Sequence, residues 1–284
     1  MKRESAHLPP IKLPISGHSE PQTTPVWLKE SIKMSTEGGS RGTILPDKYR
    51  SSLHLEHPTV HWRHGKPPTY HSVNQLFEEG RTKEWAKGSL EETVQNAVKL
   101  WQMEFNNKAR LQDFKTINHE KFKIHVNGRE GLSGEETVKL GSFNALLKSS
   151  LPEEFQFFKA EKETFESSHA DFGSCFPRGF PWEVIQVYSG PPLIIFKFRH
   201  WGFFEGPYKG HQPTGELIQF FGLVILKVDE SLRVEEVEIY YDPAELFGKL
   251  LKGKKTDSES KTKTKDNEKD EAPSVGCPFT EHNK

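Results

Sequence analysis

The chain has 284 residues, with 39 Lys or Arg against 40 Asp or Glu, so a formal charge of −1 exerts no long-range pull on nucleic acid or on an acidic membrane surface. Only 33% of the residues are hydrophobic, which predicts that part of the chain stays outside any core. Cys175 and Cys277 are the two cysteines: they exclude a disulfide scaffold, lack metal-motif spacing and predict a reducing, cytoplasmic compartment, and no run approaches the roughly 18 apolar residues of a membrane span.

Residues 1–46 are rich in Pro, Ser, Gly and Thr without helical or strand periodicity, and residues 252–284 mix Lys, Asp, Glu, Ser and Thr in low-complexity order. Both are expected to be disordered, leaving residues 47–251 as one domain with an N-terminal arm. Val73, Leu76, Phe77 and Trp85 suggest a short helix over 72–86. Ser89 with Glu92 forms a capping box, in which the Ser hydroxyl accepts the amide three residues on while Glu reaches back. The helix it starts carries Val94, Val98, Trp101 and Phe105 on one stripe. Phe122–Val126 reads as a short strand. Ser133 and Glu136 repeat the capping box ahead of an amphipathic helix running to Leu147, and a further helix is expected over 163–174.

After Pro177 the pattern changes to period 2 and continuous apolar runs. Strands are expected over Trp182–Tyr188, Leu193–Trp201, Glu216–Val228 and Arg233–Tyr241. Ser189-Gly190-Pro191-Pro192 and Asp229-Glu230-Ser231 are short enough to close hairpins, whereas Gly202–Gly215 is a long glycine-rich link. Helices followed by an antiparallel meander make an α+β order, unlike the βαβ alternation of nucleotide-binding folds.

Three runs carry a resemblance. Ile194 to Gly202, then Glu205-Gly206-Pro207-Tyr208-Lys209-Gly210-His211-Gln212-Pro213-Thr214-Gly215-Glu216, then Val234-Glu235-Glu236-Val237-Glu238 resemble the SnoaL-like domain of the nuclear transport factor 2-like superfamily. Asp47-Lys48-Tyr49-Arg50, Trp62-Arg63-His64-Gly65, Leu76-Phe77-Glu78-Glu79, Phe176-Pro177-Arg178-Gly179 and Tyr188-Ser189-Gly190-Pro191-Pro192 are similar to the plant pathogen-related proteins, over roughly residues 47–250. The resemblance implies a cone, a curved and mostly antiparallel sheet wrapped around helices, with an apolar pocket used by polyketide cyclases, isomerases and dehydratases. Other members use the cone for protein binding or dimerisation, so fold alone does not assign function.

Under the resemblance, Glu238 lies where polyketide-cyclase relatives carry a His-Trp-Asp triplet, here Glu236-Val237-Glu238. A carboxylate inside an apolar cone would have a raised pKa and shuttle protons near neutrality. Alternation, however, puts Glu236 and Glu238 on one face and Val237 and Ile239 on the other, so a solvated face is the plainer reading. His200 shares a face with Phe196 and Phe198 and, across Gly202, Phe204; it serves either as a pocket donor or base or as a structural histidine. Trp101, Phe105, Tyr188, Phe198 and Phe204 are the expected ligand-lining aromatics. Lys197, Arg199 and Trp201 alternate to the opposite face, where the resemblance implies a dimer surface.

His57, His61 and His64 have helical ligand spacing, but Pro58, Gly65 and Pro67 spoil the helix, so no metal is expected. No Walker or dinucleotide fingerprint is present, neither cysteine has a base beside it, and no cofactor is expected. Cys277-Pro278 resembles a haem-regulatory dipeptide, with a docking motif over Val275–Phe279 as the competing reading. Two functions follow: a protein binding a small hydrophobic metabolite, alone or with an enzyme of plant defence or specialised metabolism; or a cofactor-independent cyclase, isomerase or dehydratase using Glu238 and His200.

Overall fold

The computed structural model describes residues 47–50, 53 and 56–256. The leader read over 1–46, and Cys277 with its neighbours, lie outside the described residues. Among these residues no helix is long and apolar enough to cross a membrane.

The helix starts are where hydroxyl caps put them. Ser89 accepts the Glu92 N–H at 3.1 Å and opens α2, while α1 precedes it; α1 spans His71–Gly80 and α2 spans Leu90–Asn107. The α1 helix stops short of the expected Trp85 because the Thr82 and Lys83 amides turn aside to donate to the carboxylate of Glu183. Ser133 closes a complete capping box with Glu136 and starts α3, Gly134–Leu140. The single helix expected to Leu147 is broken at Gly141, whose φ of 90° is left-handed, and α4 restarts as Ser142–Leu147. A Cβ at position 141 would also come within 2.9 Å of the Phe165 ring. Thr164 caps α5, Phe165–Cys175. A last helix, α6, Ala244–Leu250, was not anticipated and buries Leu246, Phe247 and Leu250.

The strands are β1 (Lys123–Val126), β2 (Leu132–Ser133), β3 (Trp182–Ser189), β4 (Leu193–Phe203), β5 (Leu217–Val228) and β6 (Val234–Tyr241). They form one open sheet in the order β2-β1-β6-β5-β4-β3, with β1 parallel to β6 and every other pair antiparallel. The expected α+β class and mostly antiparallel sheet are therefore present, and both short links close antiparallel pairs. Lys252–Thr256, read with the tail, instead pair with the glycine-rich link: Gln212 N–H donates to Lys254 O at 2.9 Å and Thr256 N–H to Gly210 O at 2.9 Å.

Each strand sends alternate side chains to opposite faces. Ile194, Phe196, Phe198 and His200 of β4, Phe220 and Val224 of β5, and Val237 and Ile239 of β6 face the helices, where one hydrophobic core gathers them. Gly222 lies opposite Phe198, and a Cβ there would stand 2.5 Å from that ring, so the glycine is what lets Phe198 lie across β5. The free edge of β3 is covered by α2: the Gln95 side chain donates to Trp182 O at 3.0 Å and accepts from Val184 N–H at 2.7 Å. An amide side chain thus takes the place of a neighbouring strand, protecting an edge that would otherwise pair with other chains.

The opposite face of the sheet is partly roofed by α1 and the arm before it. Trp201 is buried against Phe77 and Tyr49, and Arg199 donates to Gly80 O at 2.8 Å and Gln219 Oε1 at 2.9 Å. Arg199 and Trp201 are therefore inaccessible to a second copy, contrary to the dimer surface expected of them; Lys197, Phe221 and Tyr240 remain exposed on this face.

Beneath the roof, Lys99 is only 3% exposed, with Nζ 3.4 Å from the Tyr49 ring centre and 3.2 Å from that of Phe77. Burial, helped by nearby Arg50, pushes its pKa from 10.5 down to about 6. The unfolded chain therefore holds a proton that the folded chain has released between pH 6 and pH 10.5. Folding stability from this group rises with pH across that window, by up to about 1.4 kcal/mol per pH unit. Urea titrations at pH 6, 8 and 10 are expected to show the rise in the wild type and its loss in Lys99→Met. Gln95→Ala leaves the Trp182 carbonyl and the Val184 N–H without partners and is expected to cost about 2–4 kcal/mol, lowering Tm by several degrees in a thermal melt.

Candidate functional site: an aromatic hollow between helix and sheet

Trp101 and Phe105 lie four residues apart on one face of α2, and that face packs against the core of the sheet. Their rings meet edge to face at 4.9 Å. On the sheet side, register places Trp182 of β3 directly opposite His200 of β4, ring centres 5.5 Å apart. Phe180 packs against the imidazole at 4.1 Å, Phe220 lies 5.5 Å away, and Trp101 stands 6.1 Å from Trp182.

These rings enclose three small cavities. The first, about 60 Å³, lies among Trp101, Phe105, Phe143, Phe180, Trp182 and His200, with Gln102, Asn106 and Ser142 also on its wall. The second, about 60 Å³, is lined by Trp101, Trp182 and aliphatic residues of β4–β6. The third, about 50 Å³, lies among Phe172, Phe180, Trp182, Phe198, His200 and Tyr241. Trp182 borders all three, which cluster around its side chain as three lobes of an aromatic hollow. A water needs about 10–15 Å³ measured this way, so each lobe has room for a few atoms, not for a large polycyclic molecule.

The walls are almost wholly apolar, and none of the residues lining the three lobes is Asp, Glu, Lys or Arg. Three of the lining residues carry a side-chain nitrogen that is buried without a partner and enclosed by neighbouring atoms: the indole Nε1 of Trp101, the indole Nε1 of Trp182, and Nδ1 of His200. Each such group costs roughly 1–3 kcal/mol where nothing accepts or supplies its hydrogen bond. Burial among aromatic rings pushes the His200 pKa down to about 3, so the imidazole is neutral at physiological pH.

On the wall of the first lobe, Ser142 donates to Asn106 Oδ1 at 2.5 Å, and His169 Nε2 lies 3.5 Å from the same hydroxyl. The other His169 nitrogen faces Phe165 O at 2.8 Å, and burial lowers this pKa to about 4. Ser142, Asn106 and His169 thus form a neutral hydrogen-bonding network, with no strong base at pH 7.

The structure brings together four of the aromatic and imidazole residues expected from the sequence: Trp101, Phe105, Phe198 and His200 all line the hollow. Three other residues lie elsewhere. Glu238 is on the outer face of β6, across from His125 of β1 and Ile225 of β5, where it accepts the Tyr240 hydroxyl at 2.7 Å. The inward carboxylate implied by the resemblance is therefore absent from this position, because strand alternation gives the interior to Val237 and Ile239. Tyr188 is 54% exposed at the end of β3, displaced by a bulge between Val187 and Ser189, and does not reach the hollow. Phe204 is sealed in the core just past β4 and borders none of the three lobes.

Trp182, Phe180, Asn106 and Ser142 were not singled out from the sequence. Trp182 and His200 pair only after two register shifts in the β3–β4 hairpin, which residue counting does not reveal. The His57–His64 segment is irregular, and among the described residues no group of three or more His, Cys, Asp or Glu is placed to hold a metal ion. Burial pushes the Cys175 thiol up to about 12, which removes thiolate chemistry.

No family model matches the chain. It is 47% identical over 221 residues to the protein named "Pathogen-related protein" of barley, Hordeum vulgare, across 76% of this chain and 91% of that relative. Among solved structures, it is similar to an LEH-like epoxide hydrolase of M. tuberculosis, with TM-score 0.31 and 13% identity over 56% of this chain and 90% of that one. It is also similar to an NTF2-like protein of Burkholderia thailandensis, with TM-score 0.29 and 11% identity over 48% of this chain and 79% of that one.

The neutral imidazole is directly observable. In NMR spectra recorded from pH 8 to pH 5, the His200 ring resonances are expected to stay put, with protonation only near pH 3, whereas an exposed histidine titrates near 6.5.

Proposed function

The chain belongs to the pathogen-related protein family, and we propose that it binds a small hydrophobic metabolite in the hollow between α2 and the sheet without converting it, alone or beside a partner enzyme. The observation that carries this reading is an aromatic cavity whose wall holds neutral polar groups and no carboxylate or ammonium. Proton transfer to or from carbon needs a group that can take or give the proton near neutrality. His200 is too weak a base for that task, and Glu238 faces away from the hollow. The setting in plant defence or specialised metabolism, a cytoplasmic location and self-association through the exposed part of the outer sheet face belong to the same proposal.

Ala145 borders the first lobe and is 1% exposed, so a larger side chain there occupies the space a ligand would take. With a compound retained from plant metabolite extract, Ala145→Leu is expected to lower affinity at least tenfold. Glu238→Gln is expected to leave affinity within twofold and to change no product profile by mass spectrometry. Conversion of the compound by the wild type and its loss in Glu238→Gln would refute the reading.

A further inference from the structure

Away from the hollow, folding leaves a group of large apolar side chains in water. Leu151, Phe155, Phe157 and Leu251 are 49%, 64%, 48% and 37% exposed, although Phe158 beside them is buried. Phe157 stacks on Phe247 of α6 with ring centres 5.9 Å apart, and Leu251 follows Phe247 by one helical turn, its N–H donating to Phe247 O at 2.9 Å. Leu151 and Phe155 flank the one-turn 3₁₀ helix Glu153–Phe155, and none of the four borders the three lobes. Single exposed hydrophobic residues are ordinary, whereas a group of them marks a contact surface.

The segment that carries three of them is closed on itself. Gln156 Nε2 donates to Leu151 O at 2.7 Å, Phe155 N–H to Pro152 O at 2.9 Å, Gln156 N–H to Glu153 O at 3.2 Å and Leu151 N–H to Ser149 Oγ at 3.2 Å. Glu153 is held by Lys159 at 3.0 Å and by Lys162. Backbone groups that are met inside the segment do not have to be met by water, which is the condition for entering a lipid interface. Charge adds a direction. Residues 148–162 carry three Lys and three Glu, whereas residues 251–256 carry Lys252, Lys254 and Lys255 and no acid. Lys252 pairs with Glu216 at 2.9 Å; Lys254 and Lys255 are exposed and make no ion pair among the described residues. Their backbone is pinned to the glycine-rich link, so the basic flank keeps its place beside Leu251.

We infer that this end of the domain docks on the surface of a bilayer carrying anionic headgroups, with Leu151, Phe155, Phe157 and Leu251 entering the boundary between headgroups and acyl chains and Lys254 and Lys255 facing the headgroups. Docking of this kind is peripheral and needs no membrane-spanning helix. A folded protein partner has to match the shape of what it covers, whereas a fluid interface accepts a short apolar turn of any shape. The apolar side chains supply attraction to every bilayer, and the lysines select the anionic ones. The net charge of −1 is no obstacle, because the contact is made by a local basic flank within a Debye length of the surface.

Flotation of the full chain with vesicles of phosphatidylcholine alone, and of phosphatidylcholine mixed with phosphatidylserine, tests this. Partitioning is expected to be at least tenfold stronger into the mixed vesicles, and that preference is expected to shrink as added salt screens the lysines. Phe155→Ser and Leu151→Ser are each expected to lower partitioning into both kinds of vesicle at least threefold. Lys254→Glu combined with Lys255→Glu is expected to remove the preference for phosphatidylserine. Phe155 and Leu151 are exposed, so thermal melts of their variants are expected to match the wild type. Phe221→Ser, exposed on the outer sheet face, is expected to leave partitioning unchanged. No partitioning into either vesicle, equal partitioning into both, or partitioning that Phe155→Ser does not alter overturns the inference. Absence of vesicle binding together with self-association in sedimentation velocity that Phe155→Ser abolishes also overturns it, and assigns the group to a protein contact.

Discussion

The clasp between the Gln95 amide and the free edge of β3 sets the position of everything that lines the interior. Its two hydrogen bonds, to Trp182 O and from Val184 N–H, are buried and directional. They fix both how close α2 lies to the sheet and how it is rotated about its own axis. With that rotation fixed, Trp101 and Phe105 point inward, and the β3 backbone that the amide holds carries Trp182 to meet them. The hollow is the space left when bulky aromatic rings converge from two elements that a single side chain holds in register. The same contact covers a strand edge, so the protection of the sheet and the shape of the cavity have one cause.

Polar burial is handled in two contrasting ways. Where α2 ends, Lys108 is wholly buried and donates to Glu104 at 2.8 Å, Glu56 at 3.1 Å and Asp113 O at 2.7 Å. Glu104 in turn accepts from the Lys115 and Thr116 amides and the Thr116 hydroxyl. That cluster meets the condition under which buried charge is tolerated, since each carboxylate faces a lysine and both Lys108 and Glu104 make several hydrogen bonds. A second pair, Arg199 with Glu183, is tied by the Thr82 and Lys83 amides and ends α1. The residues lining the hollow carry no charge, and Ser142 and Asn106 on its wall bond to each other. Charge networks thus anchor the helix and the roof, while the hollow is lined by neutral groups alone, which is the division expected of a scaffold around a binding site.

The roof over the outer sheet face also shapes what this member of the pathogen-related family can do. Tyr49, α1 and the aromatic cluster around Trp201 occupy the part of the sheet nearest β4 and the start of β5. A partner, whether another copy or another protein, is left with the strip around Phe221, Tyr240 and Lys197. Glu238 sits on that strip beside Tyr240, so the residue the resemblance implied as an interior acid contributes instead to the character of an exposed surface.

Local chemistry was legible in the sequence wherever it is decided by neighbours along the chain. The hydroxyl caps at Ser89 and Ser133, the hairpin links and the strand periods depend on residues a few positions apart, and they placed the starts of α2 and α3 and the bounds of β3, β4, β5 and β6 to within one or two residues. Alternation alone also foresaw that Glu238 shares a face with Glu236 and opposes Val237. The sequence left open what depends on distant segments meeting: the break at Gly141, where the Phe165 ring leaves no room for a Cβ; the parallel pairing of β1 with β6; and the roof that hides Arg199 and Trp201. The site divides in the same way. Trp101, Phe105, Phe198 and His200 were identifiable as an inward aromatic set by periodicity, whereas the pairing of Trp182 with His200 passes through two bulges, and the absence of charge from the lining is a property of enclosed space. One-dimensional spacing determines which face a side chain takes; only the closed three-dimensional packing decides what that face encloses and which of its polar groups are left without a partner.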